Sequence, residues 1–105
     1  MIIIYDKKGL TQLLCLDTPT LENADLRNAN LEEANLVQYQ FNGANLENAN
    51  LKNADLRLAD FSNANLTSAN LSGADITGTC FHNADLTNAI VPSKSLPVTL
   101  GTADH

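Results

Sequence analysis

From Leu21 to Leu86 a large apolar residue returns at every fifth position, without one insertion. The set is Leu21, Leu26, Leu31, Leu36, Phe41, Leu46, Leu51, Leu56, Phe61, Leu66, Leu71, Ile76, Phe81 and Leu86. Ala stands two residues earlier in most units and Asp or Asn lies between, so the unit is Ala-(Asp/Asn)-Leu-x-x. A period of five suits neither regular element. On an α-helix five steps rotate a residue by about 140°, and the Leu set would circle the axis. On a strand five steps alternate faces. The set shares one interior only if each unit turns the chain by a fixed angle. The chain then coils into a solenoid whose turns stack about 4.8 Å apart through backbone hydrogen bonds.

Three Phe residues set the number of units per coil. Phe replaces Leu at 41, 61 and 81, always at a spacing of twenty. Outward positions agree, since Arg27 faces Glu47 and Glu32 faces Lys52 at the same spacing. The reading is four units per coil and a square cross-section, with Leu21, Phe41, Phe61 and Phe81 in one interior column. The exceptions to the unit also fall in register. Pro19, Tyr39 and Thr79 occupy the Ala position, Gln40 and Cys80 stand beside the last two, and one irregular face that bulges locally is expected. Tyr39 is expected to pack against Phe41 while its hydroxyl reaches solvent or a carbonyl.

Small Ala beside Leu suits a narrow interior. Each buried Leu contributes about 1.5–3 kcal/mol, against about 1–2 kcal/mol per residue of backbone ordering, so one coil alone would not hold and stacking is required. Asn and Asp are expected at the corners, because they bond nearby backbone and tolerate unusual φ/ψ. Stacked Asn amides are a further source of bonds between coils.

The runs AlaAspLeuArgAsn, AlaAsnLeuGluGlu, AlaAsnLeuGluAsn and AlaAsnLeuLysAsn resemble the pentapeptide-repeat family, over about residues 19–90. The resemblance is to its small stand-alone members, abundant in cyanobacteria. It implies an all-β fold, a right-handed quadrilateral β-helix, and the handedness rests on the resemblance alone.

Solenoid ends expose core and unpaired edges. Residues 1–18 are expected to cap the first coil: Ile2–Tyr5 as a strand, 6–9 as a turn with Gly9 at positive φ, and 10–16 as a second strand or a short helix. After Ala89 the pattern fades, and Pro92 and Pro97 bar a regular helix. Residues 91–105 are therefore a C-terminal cap or a disordered tail. A loose tail would leave an apolar last coil on which a homodimer could form.

The formal net charge is −6, and the segment 19–90 carries all of it, with nine acids against three bases. That balance argues against direct contact with nucleic acid or an anionic membrane and suits a basic partner. No signal peptide or membrane-length apolar run is recognisable, so a cytoplasmic location is expected.

No chemistry converges. Cys80 and His82 supply at most two ligands where zinc needs three or four. Cys15 and Cys80 occupy different phases of the coil and are expected to be free thiols. Asp55 and Asp75 stack on a convex face without a cleft, and no Ser or Thr has a base in register. No enzyme activity, cofactor or metal is expected. The leading function is protein interaction or scaffolding with an unidentified partner. The alternative is an acidic DNA mimic that inhibits gyrase, a type II topoisomerase, as some family members do. DNA carries about one charge per 1.7 Å. Four to five coils span roughly 19–24 Å, or about 11–14 phosphates, and a net −6 falls short of that.

Overall fold

A computed structural model describes residues 1–92. Its organising element is a set of parallel bridges, each joining residues twenty apart: Asp25 to Asn45, Asn30 to Asn50, Asn35 to Asp55, Gln40 to Asp60, and so on to Asn70 with Ile90. Residues 21–40, 41–60 and 61–80 thus lie as successive layers of a β-solenoid. Two bonds recur in every regular unit. The N–H of the central Leu or Phe donates to the carbonyl nineteen residues on, as in Leu26 to Asn45 at 2.7 Å. The N–H of the Asp or Asn position donates to the carbonyl twenty-one residues back, as in Asn45 to Ala24 at 2.9 Å.

The apolar repeat lies inside. Leu31, Leu36, Phe41, Leu46, Leu51, Leu56, Phe61, Leu66 and Leu71 are fully buried, and Leu21 and Phe81 nearly so. Phe41 and Phe61 stack with ring centroids 4.6 Å apart, and Phe61 and Phe81 at 5.6 Å. These near-parallel rings, at such centroid distances, make aromatic contact beyond simple burial.

The tight corner falls elsewhere than at the Asp/Asn of the repeat. Positive φ occurs at the residue just before the Ala position: Asn23, Asn28, Glu33, Gln38, Gly43, Asn48, Asn53, Leu58, Asn63, Ser68, Gly73, Gly78, Asn83 and Asn88. Asn and Gly dominate there because they enter the left-handed region at least cost. The Asp/Asn of the unit has a different task. Its Oδ1 accepts the N–H two residues on, as in Asn45 with Glu47 at 3.1 Å and Asn70 with Ser72 at 2.9 Å. This Asx turn holds the chain as it leaves each strand, so the side-chain oxygens at this position secure their own layer, and among the described residues no amide-to-amide ladder joins the layers.

The N-terminal segment is a hairpin rather than a helix. Strand β1 (Ile2–Tyr5) pairs antiparallel with β2 (Gln12–Leu16), with a register shift between Ile4 and Tyr5. Asp6 holds the turn, its Oδ1 accepting the N–H of Leu10 and Thr11, and Gly9 has φ 74. Beyond β1 the chain joins the first layer. Asp6 bridges Ala34, Asn35 donates to Tyr5 O at 2.8 Å, and Lys7 donates to Glu33 O at 2.8 Å. Ile4 is fully buried in the solenoid core. The expectation for the tail beyond Pro92 lies outside the described residues.

Candidate functional site: an open fork in the bridge ladder

The ladder of bridges breaks at one place on the irregular face. Thr20 and Gln40 occupy bridging positions, and no bridge joins them. Both recurrent bonds are missing there too. The pattern calls for Leu21 N–H to Gln40 O and Gln40 N–H to Pro19 O, and among the described residues neither forms. The strands rejoin at Asn23, which donates to Asn42 O at 2.9 Å. Pro19–Leu21 and Gln38–Gln40 therefore diverge like the arms of a fork.

Two local features hold the fork open. Tyr39 stands where regular units have Ala, and its half-buried ring lies edge-on to Phe41, with centroids 6.2 Å apart and planes at 69°. On the other arm the Thr18 hydroxyl donates to Thr20 O at 2.7 Å, and Glu22 N–H donates to Thr20 Oγ1 at 3.3 Å. Thr20 is turned upon its own neighbours instead of toward Gln40. An open hollow of about 260 Å³ results, lined by Ile2, Pro19, Leu21, Glu22, Tyr39 and Gln40 among others.

The bulge is confined to this end of the face. Gln40 still bridges Asp60, and Asp60 bridges Cys80. Thr79 also takes an Ala position but is fully buried and regular, because its hydroxyl donates to Leu56 O at 2.6 Å. Cys80 keeps both ladder bonds, to Ala59 O and from Phe61 N–H. Its Sγ lies 3.4 Å from the Ser62 hydroxyl. Cys15 and Cys80 are both free thiols.

The surface charges pair differently from the sequence expectation. Arg27 forks onto Asp25, two residues away, at 2.8 Å, not onto Glu47. Among the described residues no ion pair joins Glu32 to Lys52, and Glu32 instead accepts a bond from the Asn50 amide at 3.4 Å. Arg57 repeats the local pattern with Asp55 at 2.7 Å and reaches Asp75 at 4.0 Å. An Asp-x-Arg spacing puts both side chains on one outward ridge, which the twenty-residue comparison overlooked. Arg27 holds the Asp25 carboxyl down to about 2. Hydroxyls of Ser62, Thr77 and Thr87 lower Asp60, Asp75 and Asp85 in the same way, each donating to the carboxylate two residues before it. These hydroxyls are donors to ionised acids, an arrangement that secures turns and activates no nucleophile. Among the described residues no three of His, Cys, Asp and Glu are grouped to hold a metal. No helix there is long and apolar enough to cross a membrane.

Sequence reasoning flagged Pro19, Tyr39 and Gln40 but not Thr20 or the gap between the two arms. The signal was present: Pro19-Thr20 and Tyr39-Gln40 are two irregular units in adjacent layers of one face. Leu58 was also overlooked. It has φ 62 and is 55% exposed, at a position given mostly to Asn and Gly. Its side chain folds over Gly78, where an added Cβ would meet Leu58 Cδ2 at 2.7 Å.

Comparison with known proteins agrees with the repeat. The chain is similar to HetL, a pentapeptide repeat protein involved in heterocyst differentiation regulation from the cyanobacterium Nostoc. The TM-score is 0.68 and the identity 38%, over 72% of this chain and 35% of HetL. It is also similar to a pentapeptide repeat protein from the Arabidopsis thaliana thylakoid lumen, with TM-score 0.53 and identity 33%, over 69% of this chain and 47% of that one. The match thus spans about a third of the first and about half of the second. No curated protein sequence matches closely enough to count as a relative. The model of the pentapeptide repeat region matches residues 16–90. On its repeat, its stacked layers and this match, the chain belongs to the pentapeptide-repeat family.

Proposed function

We propose that this chain is a non-catalytic protein-interaction or scaffold module of the cytoplasm, a right-handed quadrilateral β-helix with four pentapeptides per coil. Bridges at a spacing of twenty support the coil size. The family membership supports the handedness and the non-catalytic reading. The observation that carries the function is the fork. Gln40 and Asp60 bond the layers above them, whereas the backbone groups of Pro19, Leu21 and Gln40 on the lower side stay unpaired among the described residues, next to a largely apolar hollow. Backbone groups left unpaired at a strand edge are a template for another chain.

The test is a photocrosslinking amino acid placed at Gln40 and, as control, at exposed His82, in the full chain expressed in its source cells. A protein partner captured from Gln40 and not from His82 is the expected result. Equal capture from both positions, or none from Gln40, contradicts the reading. A gyrase supercoiling assay with the same protein should show no inhibition, because Asp25 and Asp55 already face their own arginines.

A further inference from the structure

We propose that the fork takes an extended peptide segment of a partner protein. The peptide backbone pairs with Gln40, one apolar side chain enters the hollow beside Tyr39, and a basic residue lies toward Glu22. This deepens the interaction reading and rests on it.

The first support is the form of the missing bonds. Leu21 N–H, Gln40 N–H, Pro19 O and Gln40 O have no partner among the described residues. Gln40 offers a donor and an acceptor on one strand edge, and an added strand supplies the matching pair. The opposite edge of the same segment is satisfied, since Asp60 N–H donates to Tyr39 O at 3.0 Å and Phe41 N–H to Asp60 O at 2.7 Å. Gln40 therefore sits on a fixed strand with one side vacant, a preorganised edge that lowers the ordering cost of binding.

The second support is the size and lining of the hollow. About 260 Å³ lies below the roughly 300–1,000 Å³ of sites for drug-sized ligands. It suits a single side chain delivered by a longer molecule. Ile2, Pro19, Leu21 and Tyr39 make most of its wall apolar, beside the polar Thr20, Glu22, Gln38 and Gln40, so that side chain is aliphatic or aromatic.

Charge supplies the third support. Glu22 lines the hollow, and Asp60 lies one layer beyond Gln40 on the same column of bridges. Among the described residues neither has a cation within 4.0 Å, unlike Asp25 and Asp55. The Asp60 carboxylate is bound by the Ser62 hydroxyl at 2.6 Å and the Asn42 amide at 3.1 Å, which keep it ionised and in place. Glu22 borders the vacant edge, while Asp60 stands behind Gln40 on its satisfied side and adds to the negative potential of the same face. This charge selects a peptide with Lys or Arg beside its apolar anchor and disfavours an acidic one.

The experiment selects a random twelve-residue peptide library on phage against the full chain, then titrates synthetic winners into ¹⁵N-labelled protein. The expected winners carry an apolar residue next to Lys or Arg. They shift the amide signals of Leu21, Glu22 and Gln40 and slow exchange at Gln40 N–H. Gln40→Pro should weaken them about five- to tenfold, the loss of one hydrogen bond. That substitution removes an N–H that no described residue uses. Should it perturb folding, Glu22→Lys at an exposed position serves instead, and basic winners should lose affinity and salt sensitivity. Peptides that bind but shift only signals away from the fork, such as those around Leu58, overturn the inference and leave the interaction reading standing. A library that yields no binder overturns both.

Discussion

Two sides of the same first layer meet the end of the solenoid in different ways. On one side the hairpin supplies what a preceding layer would have supplied. Asn35 donates to Tyr5 O in place of a carbonyl from below, Lys7 donates to Glu33 O, and Ala34 is fully buried. On the other side Thr20 fails to reach Gln40, the strands part, and Tyr39 is only half buried. The pentapeptide rule is a rule about neighbours. It asks for Ala only where a layer presses from both sides. Ala59 is 1% exposed between two layers, while the Tyr39 ring spreads into space that no layer below fills. A departure from the repeat at a solenoid end therefore costs little and creates a surface feature. The same departure mid-stack must be small and hydrogen-bonded, as Thr79 is.

The comparison breaks most sharply if the hairpin is detached. Ile4→Ala removes the one fully buried side chain of β1 and should cost about 2–4 kcal/mol in chemical denaturation. Asn35 should then exchange its amide proton as Gln40 does. A cost under about 0.5 kcal/mol would mean that the hairpin does not belong to the folded unit.

Acid attacks the same side more gently. The N–H of Thr11 and that of Leu10 lower the Asp6 carboxyl from 3.8. A group with a depressed folded pKa contributes stability that is present above its unfolded value and lost as pH falls through its folded value. The Asp6 turn should therefore hold above about pH 4 and loosen below it, and the Asp25–Arg27 pair should hold until pH approaches 2. Exchange at Asn35 should accelerate below pH 4, relative to Asp55 in the next layer. Equal acceleration at both positions would dissociate the hairpin from Asp6.

Leu58→Asn tests the corner rule within the stack. Leaving the left-handed strain of a branched side chain, and exposing less apolar surface, should raise stability by about 0.5–1 kcal/mol in thermal melts. A loss would show that the packing of Leu58 over Gly78 outweighs the strain.

The smallest stability change is expected for Tyr39→Ala, within about 0.5 kcal/mol of the parent, because the edge contact with Phe41 is exchanged for a regular unit. Its informative readout is structural. A cross-strand nuclear Overhauser contact between Thr20 and Gln40 should appear as the fork closes.

These cases also show where sequence reading succeeds. The solenoid and the family were legible because the cause is local and repeated: one small residue, one Asx turn and one buried Leu recur every five positions. Asn does stand at the corners, as at Asn23, Asn28 and Asn48, but it also stands at the bridging position, and only the backbone separates the two roles. The Arg27 pair was misread because Arg27 has an Asp two residues earlier, and a short path prevailed over a matching layer. The fork was half legible. Pro19, Tyr39 and Gln40 stood out in register, but that the strands part there depends on where the Thr18 hydroxyl turns Thr20, which no spacing encodes.

The central claim is that the hairpin seals the first layer at Asn35 and that the layer stays open at Gln40. Amide hydrogen exchange of the full chain, followed residue by residue by NMR at neutral pH, tests it most directly. Asn35, Asn45 and Asp60, whose N–H groups are bonded to the neighbouring layer or the hairpin, should exchange slowly with the stack. Leu21 and Gln40 should exchange faster than these by at least about a hundredfold, since no described carbonyl receives their protons. If Gln40 proves as protected as Asn35, the ladder closes in solution, the fork does not exist, and the site proposed on it falls.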